Sequence, residues 1–214
     1  MGVQMLTLSS RAEWLEKRTS YIGGSDAACI VGMNPYSTNV DLWELKTGRR
    51  QKEDISDNPC VKYGTDAEKY LRELFKLDFP QYTVGYAENN LWLNDAYPFA
   101  HASLDGWLTD EGGRKGILEI KTTTIRNAAM SEKWKDRIPD NYFCQVLHYL
   151  AVTGFDFVAL KAQMKYESGV TVTKHYFIER EDVKDDIHYL MQQEKKFAEY
   201  IKTDSRPPLV LPNV

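Results

Sequence analysis

Apolar positions recur every three or four residues in the first part of the chain, then every second residue, and return to helical spacing later. Ser10 and Glu13 stand at capping-box spacing, predicting a first helix from about Ser10 to near Arg18. The stretch YIGGSDAACIVGM reads as a Gly-Gly turn feeding a short helix capped by Ser25, and TNVDLWELKTG as a third helix stopped at Gly48. In YGTDAEKYLRELFKLDF, Ala67, Tyr70, Leu71, Leu74 and Phe75 share helical spacing, which predicts a core-facing stripe with Glu68 at its edge. The period then becomes two: YTVGYA, LWLND, ASLDGWL and GILEIKT predict antiparallel strands, with Asp110 to Lys115 turning a hairpin. A helix over DNYFCQVLHYLAVTG, closed by Gly154, carries Gln145, His148, Tyr149 and Val152 on one face. Two more strands, FDFVALKAQM and GVTVTKHYFIE, precede a last helix from about Asp182 to Lys202 with Ile187, Leu190, Met191, Phe197, Ala198 and Ile201 on its apolar face. This order is that of an α/β or α+β core, a central mixed sheet with helices on both sides.

Composition changes that picture little. The 214 residues, 43% hydrophobic, suffice for a packed core, and neither a repeat nor a linker interrupts them, so a single domain over 1–214 is expected. The short clusters NPYSTN, RRQKEDISDNPC and DEGGRKG read as loops. No apolar run is long enough for a membrane span, and MGVQMLTLSSRAEW lacks the features of a secretory leader, so the expected location is the cytoplasm. Cys29, Cys60 and Cys144 contain no CxxC pair; they are expected to be buried small hydrophobes rather than part of a disulfide framework, a zinc site or an iron–sulfur cluster. With 27 basic against 31 acidic residues, a broad basic coat for nucleic acid is disfavoured, while a localised channel and clustered carboxylates remain open.

Candidate chemistry centres on HASLDGWLTDEGGRKGILEIKTTT. Strand alternation puts Leu118 and Ile120 on one side and Ile117, Glu119 and Lys121 on the other. Asp105 lies on the partner strand, where a suitable register brings its carboxylate near Glu119. Two converging carboxylates suit a hard divalent cation such as Mg2+, with the Ile120 carbonyl as a further oxygen ligand. Lys121 beside such a metal can orient water and stabilise phosphate charge, the requirement of phosphodiester hydrolysis. Glu68 is a candidate for a further carboxylate arm, and Gln145 for holding the water or the lysine. Taken singly, a Glu and a Lys so spaced are more often a solvent-facing ion pair than a site, and Asp105-Gly106 is more often a turn; their combination in this context points to chemistry. The histidines, His101, His148, His175 and His188, have no metal-ligand spacing, and His148 reads as structural or close to DNA.

Together, RTSYIGGSDAACIVGMNPY, YGTDAEKYLRELF, ASLDGWL, LEIKTTT and NYFCQVLHYLAVTG resemble the YqaJ-type viral recombinase nucleases, the lambda-exonuclease-like group of the PD-(D/E)xK superfamily, over about Arg11 to Glu199. The resemblance implies a PD-(D/E)xK restriction-endonuclease-like core and a Mg2+-dependent 5′-to-3′ exonuclease, with Mn2+ able to substitute. Such an enzyme resects linear duplex DNA to leave 3′ single-stranded tails for a single-strand annealing protein. It also implies a ring-shaped homotrimer encoded by a phage or prophage. Carried over by motif, Asp105, Glu119, Ile120 and Glu68 would hold the metal, Lys121 would activate the water, and Gln145 would complete the reacting site. Arg18 and Ser25 would form a 5′-phosphate pocket, a role that an arginine fork and helix-terminal amides after Gly24 also suit physically. Leu104 departs from the Pro that precedes the Asp in many relatives. An endonuclease of the same superfamily and a DNA-end-binding module without catalysis are the alternatives. If DNA passes through a ring, RNAAMSEKWKDR, with Arg126, Lys133, Lys135 and Arg137, is a candidate for the basic channel face and equally for a solvated amphipathic helix, with Trp134 either in the core or wedged against bases.

Overall fold

The computed structural model describes residues 2–51 and 53–212; Lys52, in the loop expected over RRQKEDISDNPC, lies outside them. In chain order the elements are β1 (Val3–Thr7), α1 (Arg11–Thr19), β2 (Ile22–Gly23), α2 (Gly24–Ile30), α3 (Asn39–Lys46), α4 (Pro59–Asp78), β3 (Thr83–Gly85), β4 (Asn90–Asn94), β5 (Ala100–Ala102), β6 (Gly106–Thr109) and β7 (Lys115–Ile125). There follow α5 (Ala128–Glu132), α6 (Asp140–Thr153), β8 (Phe157–Tyr166), β9 (Thr171–Glu179), a 3-10 turn (Glu181–Val183) and α7 (Lys184–Lys202).

The strands form a five-stranded mixed sheet, β3-β6-β7-β8-β9, and a smaller one, β1-β4-β5-β2. A turn over Asp110–Arg114, one residue shorter than expected because Lys115 pairs with Thr109, makes β6 and β7 an antiparallel hairpin, whereas β7 and β8 run parallel, connected through α6. The second sheet divides strands that the alternating pattern had placed together. LWLND lies in the smaller sheet, and ASLDGWL breaks in two, β5 in one sheet and β6 in the other. The N-terminal strand β1, paired with β4, was not expected.

Strand β7 sits inside the large sheet with opposite faces buried in different clusters. Leu118 and Ile120 pack with Leu71 and Phe75 of α4, and Ile117 packs with Val146 and Leu150 of α6. The expected alternation is therefore observed. Helix α6 is buried along most of its length because α2, α7 and both sheets surround it. It ends at Gly154, whose φ of +68° favours glycine.

Several boundaries move for identifiable reasons. Helix α4 begins at Pro59, capped by Asn58 and four residues before the expected start, because proline suits the first helical position. Its buried stripe is Leu71, Arg72 and Phe75, while Tyr70 and Leu74 are exposed. Helix α2 is preceded by a two-residue strand, not a turn, and Gly23 rather than Ser25 is its N-cap; the Gly23 N–H donates to Asp26 at 3.0 Å. Ser10 does cap α1, but Glu13 reaches back to Ser9, completing a different bond from the one expected. The basic stretch after β7 contains only the short helix α5, with Arg126, Lys133, Lys135 and Arg137 all outside it, and Trp134 is buried in the core, which excludes a wedge role. Cys60 is exposed, unlike buried Cys29 and Cys144.

Candidate active site

Asp105 sits where the chain passes between sheets: β5 ends at Ala102 and β6 begins at Gly106. Gly106 pairs with Leu118, so Asp105 immediately precedes the ladder, beside Glu119. Its Oδ2 accepts the Ile120 N–H at 2.8 Å. One residue earlier, the Asn90 side chain accepts from the Leu104 N–H and donates to the Leu104 carbonyl, both at 2.9 Å. This buried amide imitates a strand partner and steadies the segment in which the resemblance led one to expect proline.

Glu119 points from β7 toward α6. Its Oε1 meets Lys121 Nζ at 2.6 Å and accepts from Gln145 Nε2 at 3.0 Å. Gln145 Oε1 accepts from Lys121 Nζ at 3.0 Å, closing a three-membered ring of contacts, and Gln145 Nε2 also donates to the Tyr149 hydroxyl at 2.9 Å. Gly24 makes this possible: a Cβ there would stand 2.5 Å from Tyr149 Cε1 and 3.0 Å from Gln145 Cγ. Burial, then the neighbouring Glu119 and Glu68 charges, push the Asp105 carboxyl well above the ordinary range. Burial also raises Glu119, although Lys121 opposes it. For Lys121, burial disfavours the ammonium, but Glu119 and Asp105 outweigh it and hold the group charged.

Glu68 lies across a cavity of about 790 Å³ whose lining includes Arg18, Glu68, Asp105, Glu119, Lys121 and Gln145. Its Oε1 is 3.0 Å from Arg72 Nη1. Arg72 also donates to the Asp105 carbonyl; it and Asn90 are site residues that sequence reasoning missed. An arginine on a polar helix turn resembles a solvated charge, and only the i, i+4 spacing to Glu68 hinted otherwise.

Arg18 borders this cavity and a second one of about 650 Å³, whereas Ser25 lines only the second, with Gly23, Asp26, Lys46 and His101. Arg18 stacks over Trp14 at 4.0 Å, and its Nε donates to His101 Nε2 at 3.3 Å. Burial, then the nearby His148 and Arg18 charges, lower His101 to about 2, leaving a neutral acceptor for Arg18. The α2 amide terminus is less open than expected, since Asp26 takes the Gly23 N–H and pairs with Lys46 at 2.8 Å. His148 is structural: it is fully buried between Glu194, at 2.8 Å from Nδ1, and the His101 carbonyl, at 2.8 Å from Nε2.

The donor set fits a hard divalent cation. Glu119 Oε2 is buried without a hydrogen-bond partner, and the two raised carboxyls would be relieved by positive charge. Among the described residues no cluster of three or more His, Cys, Asp or Glu side chains is ready to hold a metal ion. The set is an Asp105–Glu119 pair, with Glu68 linked to the Asp105 main chain through Arg72.

A strand-borne Glu and Lys, an Asp at the head of the paired strand and a helical Glu, mounted on a mixed sheet between helices, define the PD-(D/E)xK class of α/β fold. The chain belongs to the YqaJ-like viral recombinase domain family, whose model matches residues 13–156. It is 34% identical over 146 residues to the uncharacterized protein YqaJ of Bacillus subtilis (strain 168), a match covering 68% of this chain and 43% of that relative's length. Among solved structures, an alkaline exonuclease (LHK-Exo) from Laribacter hongkongensis superposes with a TM-score of 0.64 at 15% identity, covering 90% of this chain and 93% of its own. A phage related exonuclease from Haemophilus somnus 129PT gives 0.54 at 12% identity, covering 86% and 96%. These likenesses establish the fold.

Proposed function

We propose that the chain is a divalent-metal-dependent nuclease domain that resects linear duplex DNA from its 5′ ends, leaving 3′ single-stranded tails for annealing recombination. The observation that carries this is the meeting of Asp105, Glu119, Lys121 and Gln145 at one wall of the large cavity. Exonuclease activity in the names of two structures of this fold supports it, as does a bound dAMP in the Laribacter protein.

Asp105, Glu119 and the Ile120 carbonyl are the proposed ligands of Mg2+, or of Mn2+ in its place, with Glu68 as a further arm. When bound, the ion supplies Lewis acidity toward a phosphoryl oxygen and a more acidic water. The charged Lys121 donates, so it can orient the attacking water and stabilise phosphate charge. Gln145 keeps that ammonium and Glu119 in register. Arg18, preorganised by Trp14 and His101, is the proposed partner of a 5′-terminal phosphate, with Ser25 on the neighbouring wall. By the same reading the active form is a homotrimer working on DNA ends in the bacterial cytoplasm beside a single-strand annealing protein.

The test is digestion of 5′-phosphorylated linear duplex and closed circular duplex, with Mg2+ or EDTA, by wild type and Lys121→Ala. Resection of the linear substrate alone, dependent on Mg2+ and absent in the variant, is the expected result. Cutting of circles would replace it with an endonuclease; end binding without cleavage would replace it with a binding module.

A further inference from the structure

Arg72 is 5% exposed, although Tyr70 and Leu74 on the same helix face solvent. Removing a guanidinium from water is costly unless its edges and faces find partners. Its Nη1 donates to Glu68 Oε1 at 3.0 Å and to the main-chain carbonyl of Asp105. Its guanidinium carbon lies 3.5 Å from the Tyr86 ring centroid, a cation–π contact that restrains the group. The aliphatic stem passes Gly106, where a Cβ would approach Arg72 Cδ to 3.5 Å. One side chain from α4 thus grips a carboxylate on its own helix and the peptide carrying a carboxylate from the β5–β6 junction.

We propose that Arg72 is a positioning residue for divalent-cation binding, holding Glu68 and the Asp105 peptide at a fixed separation without itself touching cation or substrate. The proposal rests on the metal-dependent reading of the site. Glu68 and Asp105 come from elements joined by no ladder, so their spacing depends on a cross-brace. Donation to the Asp105 carbonyl fixes the peptide plane from which that side chain projects. A lysine retains the charge but lacks the planar face that lies over Tyr86 while one terminal nitrogen serves both acceptors.

The experiment measures Mn2+ binding by electron paramagnetic resonance of the free ion, without DNA, for wild type, Arg72→Lys, Arg72→Gln, Glu68→Gln and the Arg72→Lys/Glu68→Gln pair. Melting curves in EDTA run alongside. Arg72→Lys should weaken Mn2+ binding about tenfold, the scale seen when a residue that orients a ligand is lost, and Arg72→Gln should weaken it further. The paired variant should lose less than the two single losses combined, because both act on one carboxylate. For Arg72→Lys, the Mg2+ concentration giving half-maximal cleavage should rise while the rate at saturating Mg2+ stays near wild type. A variant that melts lower yet binds Mn2+ like wild type would restrict Arg72 to stability and overturn the proposal. Independent, additive losses would overturn its action through Glu68. Wild type binding no Mn2+ would instead remove the metal-dependent reading and this inference with it.

Discussion

Asp105 and Lys121 sit in the same buried network but contribute to it with opposite sign. Asp105 has a folded pKa raised well above its unfolded value, first by burial and then by Glu119 and Glu68. Such a shift stabilises the fold at pH below the unfolded value, and that stability is lost as pH rises through the folded one. The carboxylate is therefore a burden at neutral pH, and Asp105→Asn, which keeps an acceptor for the Ile120 N–H, should melt higher in EDTA. A gain of about 1 kcal/mol is in the range of such relieved sites. The advantage should vanish in acid, where Asp105 itself becomes neutral, while cleavage is abolished throughout. Lys121→Met should cut the rate at least about a hundredfold and, by leaving Glu119 buried without its cation, lower stability by about 3 kcal/mol, both measurable on one preparation. Glu119 and Lys121 were legible because a period of two says which side chains share a face. Arg72 and Asn90 were not, since their partners, the Asp105 and Leu104 carbonyls, are backbone atoms placed by tertiary contact.

At the scale of elements, the close packing of α2 on α6 sets the position of Gln145. Gly24→Ala would place a methyl group against Tyr149 and Gln145. It should cost about 1–3 kcal/mol as an overpacking substitution and slow cleavage by displacing the Gln145 contacts to Glu119 and Lys121. A calorimetric melt and a rate measurement together check this. Helix α4 shows why its exposed face was misjudged. Ala67, Leu71 and Phe75 make one apolar row, while Tyr70, Leu74 and Leu77 make another at equivalent spacing. Periodicity gives the existence of a helix but not which of two rows meets the sheet. The second sheet was hidden for a related reason: alternation identifies strands, whereas their division between sheets is decided by three residues of junction, Ser103–Asp105.

Across the whole molecule, the buried His148–Glu194 pair joins α6 to α7, and His148 reaches β5 through the His101 carbonyl. Burial disfavours its charge, but Glu194 more than compensates and raises its folded pKa. Its contribution is complete below the unfolded value of about 6.5 and is lost as pH rises through the folded one. His101 acts oppositely: neutral when folded, with a pKa of about 2, it costs stability as pH falls from its unfolded value. Their combined effect is greatest stability near pH 6.5, a weighting that urea titrations across pH can read. His148→Gln should lose about 3–5 kcal/mol at that optimum by stranding Glu194, and should no longer weaken between neutrality and mild alkali. The α/β class and the order of the site segments were legible across this scale; the pairing of α6 with α7 through a histidine and a glutamate was not, because Glu194 interrupts an otherwise apolar face. The passage from one sheet to the other also acts as a ruler. Inserting one residue between Ala102 and Gly106 leaves both ladders able to form, yet it changes the phase of Asp105 against Glu119. The same insertion in the Asp110–Arg114 turn lengthens only a surface loop. The chain should therefore accept length variation at the hairpin tip and reject it at the junction.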